Sequence, residues 1–351
     1  MSDMDSALTQ IADNDLGLEQ LDPDGNVILL VEGQNARRFL VSSKVLTLAS
    51  PMLAKLFSSN FYEGEQIASS HRPTIPLHGD DPAAMRTILE ILHYREPEQV
   101  DPMDAERLAV LAINCDKYDC IKALRPWIIN WFYGFPSLGT AEEYGYLLLA
   151  AHLFRSAEQF TGISVKAQTR LSPDFFVKWE VIDMLRFLPD GVRSDLANGI
   201  EKVLYQIHEE LQSVEGRLRA DQRCHAMQGR ICMICGRTHP ISARKCHPCG
   251  NSDLYIKHCT SDYRVAEYFN ALRKSSLWPS LEPFQNCSAE EIALYISHTK
   301  SFLRHSCEAE SSCPLHLEFD LLLKRVNGIL GRVKGLSLYP LHGTPLRDER
   351  T

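Results

Sequence analysis

No stretch of this chain stays apolar for the roughly 20 residues that a bilayer-spanning helix requires. The first 24 residues hold seven carboxylates and no lysine or arginine. The basic-then-apolar pattern of a secretory leader is therefore missing, and residues 1–24 read as a disordered acidic tail. The sequence shows no internal repeats and no long low-complexity tract. It also shows no nucleophile–base set, phosphate-binding loop or paired-carboxylate motif, so the expectation is a protein that is not an enzyme. These absences point to an intracellular protein, cytoplasmic or nuclear, with no membrane partner. What remains is ordinary in bulk: 351 residues, 44% hydrophobic and 23% charged, enough for two or three domains with real cores. Eleven cysteines without a leader argue for free thiols and metal rather than disulfides.

The most informative stretch runs from Asn26 to Phe132. Val27 to Val31 is an unbroken apolar run, the pattern of a strand covered on both faces. Gly33, Gln34 and Asn35 supply turn residues, and Phe39 to Val41 form a second apolar run, so a hairpin is the simplest reading. Ser50-Pro51 places a capping hydroxyl ahead of a proline at the first helical position. Met52, Leu53, Leu56 and Phe57 follow as a helical stripe. Thr74 to Leu77 reads as a short strand whose Pro76 suits an edge. Three helices come next, with apolar faces at Met85, Ile88, Leu89 and Leu92, at Leu108, Leu111, Ala112 and Cys115, and at Ile121, Leu124, Ile128 and Trp131. Cys115 and Cys120 read as small buried hydrophobes.

The phrase Val45-Leu46 through Ala49, Ser50, Pro51, Met52 and Leu53, with the aromatic-acidic tag Phe61, Tyr62, Glu63 and Gly64, resembles the opening of a BTB/POZ domain. The resemblance implies an α+β fold, a small sheet with helical hairpins. It also implies a function: such domains bind proteins and catalyse nothing. They commonly form homodimers or hetero-associations, and some recruit cullin-type ubiquitin ligases. Two positions depart from the usual pattern. Asn26 stands where many members have aspartate, and Ser42, Ser43 and Lys44 stand where many have histidine. The serine-rich form resembles BTB proteins of fungi.

The expected organisation is a BTB domain over 25–133, a helical extension and long helix over 140–222, and a cysteine-rich helical region with a zinc-ribbon-like insertion over 223–340. Thr140 with Glu143, and Ser288 with Glu291, have capping-box spacing. Ser172, Pro173 and Asp174 open an aromatic helix that Pro189 ends. A long helix over about 192–220 carries a heptad-like seam of Val192, Leu196, Ile200, Val203, Ile207, Leu211, Val214 and Leu218. Packing within the chain is favoured over a dimer coil. Leu315 to Val333 read as the last helix, and residues 343–351 as a polar, mobile tail.

The decisive chemistry is a pair of Cys-x-x-Cys-Gly motifs, Cys232 with Cys235 and Cys246 with Cys249, each followed by glycine. Zinc takes four soft ligands in a tetrahedron at about 2.3 Å, and two such knuckles supply them. Glycine after each second cysteine permits the positive φ of a tight turn. One such motif alone is compatible with a redox pair, whereas two resemble a zinc ribbon, so a structural zinc is expected. A nucleobase-deaminase reading fails because lysine, not proline, precedes Cys246. The remaining ligand-type residues are Cys224, His225, His239, His247, Cys259, Cys307, Cys313 and His316. A second metal set drawn from them would use Cys224, Cys259, Cys313 and His316.

Residues 217–274 carry eleven Lys/Arg against four Asp/Glu in a chain of net charge −8. That asymmetry fits a nucleic-acid footprint, with Arg237, Arg244 and Lys245 as contacts, and fits equally an internal match to acidic parts of the chain. The first reading is thus an interaction adaptor with a BTB domain and a zinc-stabilised C-terminal region. The alternative is a BTB-dimerised regulator that binds nucleic acid through residues 217–274.

Overall fold

The computed structural model describes residues 17–33, 35–97, 103–133, 135, 139–303 and 305–338. The fold is mixed α+β, with a small N-terminal sheet followed by helices. Two compact units emerge. One takes the described residues up to Ile163 with Trp179–Leu188, and the other takes Ser164–Lys178 and Pro189–Leu336.

The first unit is built on a four-stranded sheet. Strands β1 (Leu18–Gln20), β2 (Val27–Val31), β3 (Arg37–Val41) and β4 (Thr74–Leu77) lie in the order β1-β3-β2-β4. β2 and β3 form the anticipated antiparallel hairpin, with Val27 opposite Val41 and Val31 opposite Arg37. Val27, Ile28 and Leu29 are consecutive and all buried, which requires cover on both faces. Among the described residues β4 pairs only with β2 and is an edge, so the N–H that Pro76 lacks is not missed by a second neighbour. β1 is a correction. Residues 17–24 fall inside the expected acidic tail, yet Leu18–Gln20 pair in parallel with Arg38–Leu40, and Leu21 is buried. Glu19 holds the strand by accepting from Arg37 (2.6 Å) and Arg86 (2.8 Å). The remaining tail, residues 1–16, and the polar tail 343–351 lie outside the described residues.

Helices α1 (Ser43–Ala49), α2 (Pro51–Leu56) and α3 (Tyr62–Ser69) precede β4. Ser50 does two jobs. Its Oγ accepts from Leu53 N–H (2.9 Å), capping α2, and donates to the Tyr118 carbonyl 68 residues away (2.5 Å). Gly64 permits a close approach inside α3, because a Cβ there would lie 1.9 Å from the Ser58 carbonyl oxygen. Next come α4 (Pro82–Leu92), α5 (Ala105–Lys117), α6 (Ile121–Tyr133) and α7 (Ala141–Leu153), with α5 packed on α4, α6 and α7. Asp81 caps α4 at Ala84 N–H (2.8 Å), and Thr140 with Glu143 completes the expected capping box on α7. Two backbone N–H groups, from Gly139 and Thr140, hold the Glu143 carboxyl below its ordinary range.

Helix α8 (Ala157–Arg170) is followed by α9 (Phe175–Glu180). The expected single helix from Ser172 to Pro189 is instead two pieces, α9 and a 3₁₀ turn at Asp183–Phe187. Ile182 between them is extended (φ −104, ψ 102), and Trp179 is anchored by its indole N–H on the Ala141 carbonyl (2.8 Å).

The second unit is organised by α10 (Asp190–Ala220), a 31-residue helix. Leu196, Ile200, Val203, Ile207, Leu211, Val214 and Leu218 of the anticipated seam are buried, and Val192 is half-buried. The seam packs within the chain against α11 (Ser261–Lys274), α13 (Ala289–Thr299) and α14 (Pro314–Leu330); α12 (Glu282–Asn286) is a short turn between. Tyr268 donates its hydroxyl to the Leu211 carbonyl (2.8 Å), and Ser288 with Glu291 caps α13 as expected. Strands β5 (His225–Cys232), β6 (Thr238–His239) and β7 (Leu254–Cys259) form an antiparallel sheet in the order β6-β5-β7, inserted between α10 and α11.

Candidate functional site

The two Cys-x-x-Cys-Gly motifs fold as matched knuckles. In the first, Gly236 N–H donates to the Cys232 carbonyl (3.0 Å) and Cys232 N–H to the Arg237 carbonyl (3.1 Å). In the second, Gly250 N–H donates to the Cys246 carbonyl (2.8 Å) and Cys246 N–H to the Asn251 carbonyl (2.7 Å). Both glycines have left-handed backbone, φ +69 at Gly236 and +71 at Gly250, as the sequence requires. β5 delivers Cys232 at its end, and the start of β7 lies beside it, with Leu254 opposite Cys232.

The four sulfurs converge. Cys232 Sγ lies 3.5 Å from Cys249 Sγ, Cys235 Sγ 3.3 Å from Cys246 Sγ, and Cys249 Sγ 3.8 Å from Cys235 Sγ. A tetrahedron with metal–sulfur bonds of about 2.3 Å has edges of about 3.8 Å, so the quartet is compatible with zinc. A disulfide would need about 2.05 Å. The backbone N–H of Cys235, then that of Ile234 and the Asn251 side-chain amide, stabilise the Cys232 thiolate and hold its pKa down at about 6. Burial pushes the Cys246 thiol up to about 12. Around the quartet, Met233 and Ile234 project from the first knuckle, 67% and 74% exposed.

The other ligand-type residues separate. Cys259 and Cys313 come together, but Cys224 is exposed and neither it nor His316 belongs to the cluster. His305 and Cys307 take those places. His305 was not singled out in the sequence. The signal was present, since His305, Cys307, Cys313 and His316 fall within one short stretch. His239 is buried in β6, and His247 is exposed beside Cys246.

Several basic residues of the segment find partners within the chain. Arg217 pairs with Glu210 and Glu318 (both 2.8 Å), Arg219 with Glu215 and Asp262, and Arg223 with Asp221. Arg264 is fully buried, and its guanidinium donates to the carbonyls of Arg223 (2.7 Å), Cys259 (3.2 Å) and Asp221. Lys257 sits over the Tyr263 ring at 3.9 Å. Arg237, Arg244 and Lys245 are exposed on and after the first knuckle.

In the first unit, the buried core of the sheet leaves several large apolar side chains outside. Leu48, Tyr62 and Tyr94 are exposed, and Phe61 partly so. A family model for the BTB/POZ domain matches residues 20–125, the stretch that holds strands β2 to β4 and helices α1 to α5. Residues 20–125 are a BTB/POZ domain, less than a third of the chain. No curated protein matches the chain. Domains of this family mediate protein–protein interaction. No helix among the described residues is long and apolar enough to cross a membrane.

Proposed function

We propose that this protein is a non-catalytic interaction adaptor. Its BTB/POZ domain, bounded at about residues 25–133, self-associates or docks a partner protein. Cys232, Cys235, Cys246 and Cys249 hold one structural zinc in the C-terminal region. The observation that carries the reading is the BTB/POZ match over residues 20–125 on a sheet-and-helix core of that order. The exposed Leu48, Tyr62 and Tyr94 supply apolar contact area of the kind a partner covers. Four cysteines complete a zinc shell and leave no position for a reactive water, which favours a staple over an enzyme. The ribbon strands have little apolar core of their own, so ion binding there is folding energy. The internal ion pairs of Arg217, Arg219, Arg223 and Arg264 favour the adaptor over the nucleic-acid regulator.

The test is affinity capture with the full chain beside a truncated chain ending near residue 135. Partners retained by the short form, a cullin-type scaffold among those the family implies, belong to the BTB/POZ domain. Loss of every partner on truncation contradicts the reading. A salt-sensitive gel shift abolished by charge reversal at Arg244 and Lys245 would favour nucleic acid instead.

A further inference from the structure

The β5–β7 sheet has a second end, away from the knuckles. There His225 pairs with Cys259, and the register shifts between Ala226 and Arg230. In that interval β5 turns to a different partner, residues 306–308 ahead of α14. Met227 forms an antiparallel bridge with Cys307, Gln228 N–H donates to the Ser306 carbonyl (3.0 Å), and Glu308 N–H donates to the Ala226 carbonyl (2.9 Å). This pairing sets Cys307 beside the root of β7. Cys259 closes β7 one residue before Thr260, the cap of α11, and Cys313 is itself the N-cap of α14.

Four ligand atoms therefore meet from separate parts of the unit, all buried. His305 Nε2 lies 3.2 Å from Cys313 Sγ and 3.4 Å from Cys259 Sγ, and those two sulfurs are 3.8 Å apart. With zinc bonds of about 2.3 Å to sulfur and 2.0–2.1 Å to nitrogen, a tetrahedral site has edges of about 3.8 Å between sulfurs and about 3.6 Å from sulfur to nitrogen. Cys259 and Cys313 are far outside disulfide length. The His305 ring packs near Tyr263 and His316, and its Nδ1 finds no hydrogen-bond partner among the described residues. Three thiolates around a dication leave one net negative charge. The fully buried Arg264 guanidinium stands 3.9 Å from Cys259 Sγ and offsets it.

We propose that Cys259, His305, Cys307 and Cys313 bind a second divalent ion of the zinc class, independent of the ion in the knuckles. This ion fastens residues 305–313, with their 3₁₀ turn at Glu310–Ser312, and the end of β7 to the starts of α11 and α14. The ribbon then stands on a fixed base rather than on two free strands.

Metal counting by native mass spectrometry on the full-length, zinc-supplemented chain tests this. The wild type should carry two ions. His305→Ala and Cys313→Ser should each carry one, and Cys235→Ser combined with Cys249→Ser should also carry one. A single ion that survives His305→Ala and Cys313→Ser overturns the second site, as does a Cys259–Cys313 disulfide in a peptide map of the freshly purified chain. A single ion lost in Cys313→Ser but kept in the Cys235/Cys249 variant overturns the knuckle site and leaves this one standing. No ion overturns both. Should the variants fail to fold, the cobalt-loaded wild type decides. Its absorption must contain a three-sulfur, one-nitrogen component beside the four-sulfur one, and a pure four-sulfur spectrum rejects the site.

Discussion

Replacing Tyr118 by phenylalanine isolates one buried interaction in the BTB/POZ domain. The Asp80 carboxylate has no exposed surface, and it accepts from Tyr118 Oη at 2.6 Å and from Lys117 Nζ at 2.7 Å. Burial first, and the carboxylate second, hold the Tyr118 hydroxyl protonated far above its usual range, so it is always the donor. Phenylalanine fills the same space and leaves no cavity. What is lost is one hydrogen bond to a charged group, about 1.5–3 kcal/mol. Lys117 stays in place, so the carboxylate keeps a cation and the larger cost of a stranded buried charge, about 3–5 kcal/mol, does not arise. The expected loss is therefore about 2 kcal/mol. For a unit of this size that is about 4–8 °C in Tm. Thermal denaturation followed by circular dichroism reads it directly. In an Asp80→Asn background the same substitution removes only a neutral hydrogen bond, about 1 kcal/mol, so the double-mutant cycle should show a coupling of about 1 kcal/mol. A Tyr118→Phe loss below about 0.5 kcal/mol, or a coupling indistinguishable from zero, refutes the reasoning.

Three more outcomes follow from the same unit. Gly64→Ala drives a methyl to 1.9 Å from the Ser58 carbonyl oxygen, which must shift backbone, and should cost at least about 2 kcal/mol in the same melt; an unchanged melting temperature would show that α3 moves freely. His93 accepts from Ser42 N–H at Nε2 (3.1 Å) and donates from Nδ1 to the Leu89 carbonyl (2.8 Å), and burial lowers its pKa from 6.5. Because the unfolded chain then binds the proton more tightly, stability is complete above about pH 6.5 and falls as pH drops through the lowered folded value. His93→Gln should flatten part of that slope below about pH 6.5, although His152, lowered for the same reason, keeps the remainder. Finally, Leu48→Glu with Tyr62→Glu, two exposed positions outside the core, should weaken self-association or partner binding at least about tenfold in sedimentation or calorimetry while leaving the melt unchanged; unchanged affinity moves the docking face elsewhere.

Where local chemistry decides structure, the residues alone were enough. The hairpin of Val27–Val31 with Arg37–Val41, the caps at Ser50, Thr140 and Ser288, the seam of α10 and the positive φ of Gly236 and Gly250 each depend on neighbours in the chain. β1 was hidden because three residues rich in carboxylate context become a strand only when β3 supplies the ladder and Arg37 and Arg86 neutralise Glu19. The break at Ile182 was hidden for a related reason, since Trp179 is fixed by a carbonyl 38 residues away. The knuckle cysteines were legible from spacing, because two residues between ligands is itself geometry. The buried cluster was only half legible: His305, Cys307 and Cys313 are close in the chain, but Cys259 is 54 residues from Cys313 and joins them only through the fold, with Met227 bridged to Cys307.

The most direct measurement of the central claim is partner capture by three full-length chains side by side: the wild type, a form with Cys232, Cys235, Cys246 and Cys249 all serine, and the Leu48→Glu, Tyr62→Glu form. A BTB/POZ docking platform with a zinc staple behind it predicts that the serine form keeps the partners of the wild type and the surface form loses them. Partners that vanish with the four cysteines and persist without Leu48 and Tyr62 would contradict it.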